Sequence, residues 1–151
     1  MMTDLEILVD FLRKIELEIK ANMIANNQVA TRKTIDSFEV ITPNDVSAEL
    51  WAAKWVMALE DGRKPTSHTG PFQSAGKTLV ESIKEWIAAK KLDLNPYAVA
   101  RKIHAEGTKL YRQGGKSGVI STVITEQRLS NLVEIFADQY LSSLESNLLT
   151  V

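Results

Sequence analysis

The chain has no cysteine, which removes a disulfide framework, a thiolate metal site and a cysteine nucleophile together. Histidine is nearly as scarce: His68 and His104 stand 36 positions apart, so a multi-histidine metal centre within one chain is not expected. No apolar run reaches the ~18 residues of a membrane span. Lys54 interrupts the best stretch, Trp51–Leu59. The first residues carry Asp4, Glu6 and Asp10, the wrong charge for a secretory signal. There is no internal repeat and no low-complexity tract. What is present is 151 residues with 44% hydrophobic and 25% charged side chains, the composition of one soluble domain with a real core. Composition names no task.

The formal net charge is only −1, but it is unevenly distributed. Residues 1–62 hold 6 basic and 11 acidic side chains, residues 63–116 hold 11 basic and 4 acidic, and residues 117–151 hold 1 basic and 4 acidic. An acid–base–acid chain can neutralise itself internally, present opposite faces to neighbouring copies, or turn its basic middle towards nucleic acid.

Thr3-Asp4-Leu5-Glu6 has the spacing of a capping box. Behind it Leu5, Leu8, Leu12, Ile15, Ile19 and Met23 recur at three- and four-residue steps, which predicts an amphipathic helix over 4–25. Glu16 and Lys20 form an i,i+4 pair on its polar face. Residues 34–50 read as a β-hairpin: a β-branched run to Ile41, a turn at Thr42-Pro43-Asn44-Asp45, then strict alternation to Leu50. Trp51–Leu59 reads as a short helix, and 61–76 as a loop. Thr78 and Glu81 cap a helix over 79–91. Asn95-Pro96 opens another over 96–106, closed by Gly107. Residues 111–118 form a basic, glycine-rich loop, Val119–Thr125 a strand, and 126–147 a final helix with Leu129, Leu132, Val133, Phe136, Tyr140 and Leu144 on one face. The expected fold is a single α+β domain. In it a small antiparallel hairpin packs against the apolar stripes of the N-terminal and C-terminal helices, with short helices between.

The residue types that carry chemistry do not assemble into a catalytic pattern. Gly70–Thr78 resembles a phosphate loop, but five residues rather than four separate its glycines, and Pro71 offers no amide. Gly114-Gly115-Lys116-Ser117 lacks the first glycine, since that position is Leu110. His104 has no serine or aspartate spacing around it that suggests a triad. The adjacent carboxylates Glu60 and Asp61 read as a helix end, and Trp51, Trp55 and Trp86 as core or interface anchors. Residues 81–106 are compatible with a helix-turn-helix offering Arg101 and Lys102, although few of its side chains read base edges. No enzymatic activity, cofactor or metal is expected.

Three runs bear a resemblance to a known family. Trp55-Val56-Met57-Ala58-Leu59-Glu60-Asp61-Gly62-Arg63-Lys64-Pro65 is similar to an element of tailed-bacteriophage neck and tail-completion proteins. Glu85-Trp86-Ile87-Ala88-Ala89-Lys90-Lys91-Leu92 and Tyr97-Ala98-Val99-Ala100-Arg101-Lys102-Ile103-His104-Ala105-Glu106-Gly107-Thr108 continue it, so that the similarity covers about residues 46–116. The resemblance implies a structural virion protein, assembled in the host bacterial cytoplasm. It would form a homo-oligomeric ring at the head–tail neck or tail end, contacting neighbouring phage head and tail proteins. DNA would pass through the ring with at most non-specific contact. No membrane and no small-molecule substrate enter. The alternative is a small helix-turn-helix regulator. In the ring reading Arg63, Lys64, Lys109, Arg112 and Lys116 are the candidate subunit-interface residues, facing the carboxylates of the 1–62 segment in the next copy. A strongly cationic channel wall would hold DNA back, which favours the neighbour over the channel for these cations.

Overall fold

The structure, a computed structural model, describes residues 1–66, 73–74 and 77–149. Its first element is the predicted one. The Thr3 hydroxyl accepts from the Glu6 amide and Glu6 reaches back to the Thr3 amide, opening α1 at Asp4–Ala25. The Glu16–Lys20 pair forms at 2.5 Å. Ile15, Ile19 and Met23 carry the stripe into the core, and Ile7, about two turns before Ile15, is buried as well.

After a 3-10 turn at Ile35–Ser37, strands β1 (Glu39–Asn44) and β2 (Ser47–Trp51) pair antiparallel, Val40 opposite Leu50. The hairpin is real, but shorter and displaced relative to the 34–50 expectation. Thr42, Pro43 and Asn44 belong to β1, and the reversal falls on Asp45 and Val46, where the Asn44 side-chain oxygen accepts from the Val46 amide. The register slips by one residue between Ile41 and Asn44. Pro43, with no amide to give to a ladder, sits in that bulge. Val46 is at the exposed tip.

The Trp51–Leu59 segment divides three ways: Trp51 ends β2, Lys54–Val56 is a 3-10 turn, and α2 is Met57–Asp61. Two-residue strands β3 (Gln73–Ser74) and β4 (Lys77–Thr78) pair ahead of α3 (Leu79–Lys90). α3 carries the Thr78–Glu81 capping box. α4 is Pro96–Glu106, capped by Asn95 and ended by Gly107, as the sequence predicts. Thr108 caps a further turn, α5 (Lys109–Arg112), which runs into the start of the 111–118 loop, and α6 is Glu126–Leu149.

Two apolar clusters organise these elements. The larger joins Ile15, Ile19 and Met23 of α1 to Ile35, Phe38, Val56, Val119 and Val123. Met23 and Val119 are wholly excluded from solvent, each worth about 1.5–3 kcal/mol of burial. The smaller holds α3 against α4 through Leu79, Ile83 and Ala100. Lys33–Glu85 at 3.1 Å and Lys90–Asn27 at 2.5 Å tie the two regions.

Val119–Thr125 is not a strand. It coils in successive turns, with Ile120 O accepting from the Val123 and Ile124 amides. Val119 and Val123, four apart, thereby enter the core on one side. The α+β architecture, a hairpin packed on helices, agrees with the sequence, but the apolar stripe of α6 is not in the core. No described α6 residue is fully buried, and α6 runs antiparallel along α1. It is held by a bidentate Arg128–Glu18 pair and by Gln139 and Tyr140 donating to Asp4.

Candidate functional site

Leu59-Glu60-Asp61-Gly62-Arg63 and Gly107-Thr108, about 45 positions apart, meet in one junction. The Arg63 amide donates to the Thr108 hydroxyl at 2.9 Å, and the Arg63 carbonyl accepts from the Thr108 amide at 2.9 Å. One step on, the Thr66 amide donates to the His104 carbonyl and the two side chains hydrogen bond through Nδ1. His104 is half-buried in this role. His68 and the Gly70–Gly76 part of the phosphate-loop-like run lie outside the described residues, apart from Gln73 and Ser74.

Both glycines of the junction are required by space as well as by backbone angle. Gly62 has φ +79, and a Cβ there would stand 2.4 Å from the Tyr111 amide nitrogen. Gly107 has φ +78, and its Cβ would stand 2.6 Å from the Arg63 carbonyl oxygen. Real side chains do not tolerate either approach.

Below the junction lies Glu60, only 6% exposed. Its carboxylate accepts from the amides of Ile120 (2.8 Å), Gly118 (3.3 Å) and Ser121 (3.4 Å), and from the Ser121 hydroxyl (2.6 Å). Burial alone would push the carboxyl up. The Ser121 hydroxyl and the three amides more than reverse that, and the group lies below the usual carboxylate value. The main chain repeats the contact, with the Ser117 amide donating to the Glu60 carbonyl and the Ser117 hydroxyl to that of Leu59. Of the adjacent carboxylates, Glu60 is thus a fastening for the 117–121 turn, a use that sequence spacing does not reveal. The glycine-rich run is occupied likewise: Gly114 and Gly115 donate to the carbonyls of Tyr111 and Leu110, and Gly118 to Glu60. These amides do not converge on a common point where a phosphate would sit.

The five candidate interface cations all emerge here, in two different environments. Lys64, Lys109 and Lys116 are exposed, and Arg112 is exposed while paired with Glu106 at 2.9 Å. Arg63 is half-buried, and burial lowers its pKa from the ordinary arginine value. It lines a groove of about 390 Å³ between Trp55 and Trp86, with Ala30 and Ala58 on the walls. Those two tryptophans are 40% and 39% exposed, so they rim the groove rather than anchor a core. Trp51 is still more open and donates to Glu49.

The expected acidic counter-surface is largely engaged within its own chain. Asp10 pairs with Lys14, Glu16 with Lys20, Glu18 with Arg128 and Asp36 with Arg32. Asp4, Glu6, Glu49 and Glu60 accept hydrogen bonds described above. In α6 the position is reversed: Glu126, Glu134, Asp138 and Glu145 are exposed, and none has an ion-pair or hydrogen-bond partner among the described residues. Among the described residues no helix is long and apolar enough to cross a membrane, and no cluster of ligating side chains could hold a metal ion.

No protein-family model, curated protein or solved structure matches this chain.

Proposed function

We propose that the chain is a structural subunit of a tailed-phage virion, forming an oligomeric ring at the head–tail neck or tail end through which DNA passes. The observation that carries this reading is the junction. The runs Trp55–Pro65 and Tyr97–Thr108, two of the three on which the resemblance to neck and tail-completion proteins rests, close on each other through Gly62-Arg63 and Gly107-Thr108. They are therefore one physical unit, and that unit presents Lys64, Lys109, Arg112 and Lys116 to solvent around it. A rigid scaffold displaying a charged loop cluster suits a head-to-tail contact, in which two different patches of identical chains meet.

The test is mass measurement by light scattering and native mass spectrometry, on the protein alone and after mixing with virion components. Concentration-dependent assembly into a closed oligomer, or uptake into particles, is expected. A strict monomer that joins no particle refutes the reading. Site-specific binding of that monomer to duplex DNA would replace it with the regulator alternative.

A further inference from the structure

The C-terminal helix carries an apolar surface that its own fold leaves uncovered. On α6 the half-buried positions Arg128, Leu132, Phe136, Gln139 and Ser143 form the stripe turned towards α1. Beside it lies a second arc: Leu129, Val133, Tyr140, Leu141, Leu144 and Leu148, each 47–75% exposed. Six large side chains this open present on the order of 600 Å² of apolar surface, the upper limit of what a monomer normally shows. At 100° per residue Glu134, Asp138 and Glu145 fall together along the arc's outer edge. The helix therefore offers an apolar strip with one acidic border, and those acids have no partner among the described residues.

A matching surface of opposite charge exists on the same chain. Lys64, Lys109, Arg112 and Lys116 surround the junction, and Arg63 leads from it into the groove between Trp55 and Trp86, where the one acid, Glu85, is paired with Lys33. Two α6 helices facing each other would bring acidic borders into one contact, which like-charge repulsion disfavours. An acidic, apolar strip meeting a basic junction beside two part-exposed tryptophans is favourable in both charge and hydrophobicity.

We propose that α6 of one copy docks on the Gly62–Gly107 junction and tryptophan groove of the next copy, its acidic border against the junction cations. This rests on the ring reading and specifies its contact. The acids that face the basic loops are then those of α6 rather than those of the 1–62 segment. The contact is heterologous, so each copy uses one surface to give and another to receive, and the ring reading requires that the rotation between copies closes the series.

The experiment is a charge swap in the full chain, read by sedimentation velocity over a range of concentrations. Glu134→Lys with Asp138→Lys reverses the border, and Lys109→Glu with Lys116→Glu reverses the junction. All four side chains are exposed, so folding, monitored by circular dichroism, is expected to be unchanged. Each reversal is expected to weaken self-association by about tenfold or more, and combining them to restore most of the loss. Val133→Ser with Leu144→Ser should weaken it without any rescue by the junction reversal. If the unmodified chain stays monomeric at every concentration, the ring reading and this contact fall together. If it assembles but the reversals do not weaken it, or the combination does not restore it, the contact alone is overturned. Cross-linking of α6 to α6 in the assembled form would also overturn it.

Discussion

Glu60→Gln isolates the fastening beneath the junction. The substitution keeps side-chain volume and one carbonyl oxygen but replaces the other oxygen with a donor. In the native chain Oε2 accepts from the Ile120 and Ser121 amides, while Oε1 accepts from Gly118 and the Ser121 hydroxyl. Glutamine can serve one pair and must turn an N–H towards the other. Hydrogen bonds to a charged group contribute about 1.5–3 kcal/mol, and buried donors left facing a donor cost more than the lost bond. A loss of about 3 kcal/mol at pH 7 is expected, or a fall in Tm of roughly 10 °C for a domain of this size.

The pH dependence separates the charge from the shape. The folded carboxyl lies below its ordinary value, so its contribution is complete above the unfolded value of about 4.3 and declines as pH falls through the folded one. The gap between the native chain and Glu60→Gln should be widest near neutrality and narrow steadily below about pH 4. Urea unfolding followed by tryptophan fluorescence at one fixed protein concentration measures it, since self-association would otherwise add to apparent stability. A variant within about 0.5 kcal/mol of the native chain at pH 7, or a deficit that ignores acid, would refute the fastening.

Two further expectations follow from packing. Gly62→Ala places a methyl group against the Tyr111 amide at a positive φ, and should cost about 2–4 kcal/mol in urea, with Gly107→Ala similar. Met23→Ala opens a cavity in the larger core and should cost about 2–5 kcal/mol, whereas Leu148→Ala, 75% exposed, should stay within about 0.5 kcal/mol in the dilute chain.

Helices were the most legible part of this sequence, because their ends carry local chemistry. Thr3 with Glu6, Thr78 with Glu81, and Asn95 with Pro96 each satisfy orphan amides within three residues, and all three starts are where these signals put them. What was not legible depends on distant partners. The Val119–Thr125 run is β-branched and suits a strand, yet Glu60, some sixty positions away, accepts the amides at the start of its turns and coils it. The hairpin reversal moved to Asp45-Val46 because Pro43 is accommodated in a bulge, which a turn signal at Thr42–Asp45 does not distinguish from a corner. Gly62 and Arg63 lie in one run of the sequence and Gly107 and Thr108 in another, and only the fold shows them touching. The five cations were legible as a set, but not the separation of half-buried Arg63 from exposed Lys64, which differ by one position.

The α6 stripe shows how a correct periodicity can still mislead about burial. Leu129, Leu132, Val133, Phe136, Tyr140 and Leu144 do share a face, but α1 covers only the Leu132–Phe136 side of it. Periodicity reports that a helix has something to bury and is silent on which chain supplies the cover. An uncovered helix should also be the least protected part of the molecule. Its polar attachments include the Arg128–Glu18 pair and the two bonds to Asp4, beside a stripe that is only half-buried, and an isolated helix is marginal in water on propensity alone. In the dilute monomer the amides of α6 should therefore exchange with solvent through local opening, while those of Ile15–Met23 in α1 wait for global unfolding. Hydrogen exchange measured residue by residue tests this, and raising the concentration into the assembling range should slow α6 selectively. Protection of α6 equal to that of α1 in the monomer would mean that the fold holds this helix by itself, and its exposed arc would then give no reason to look for cover from another copy.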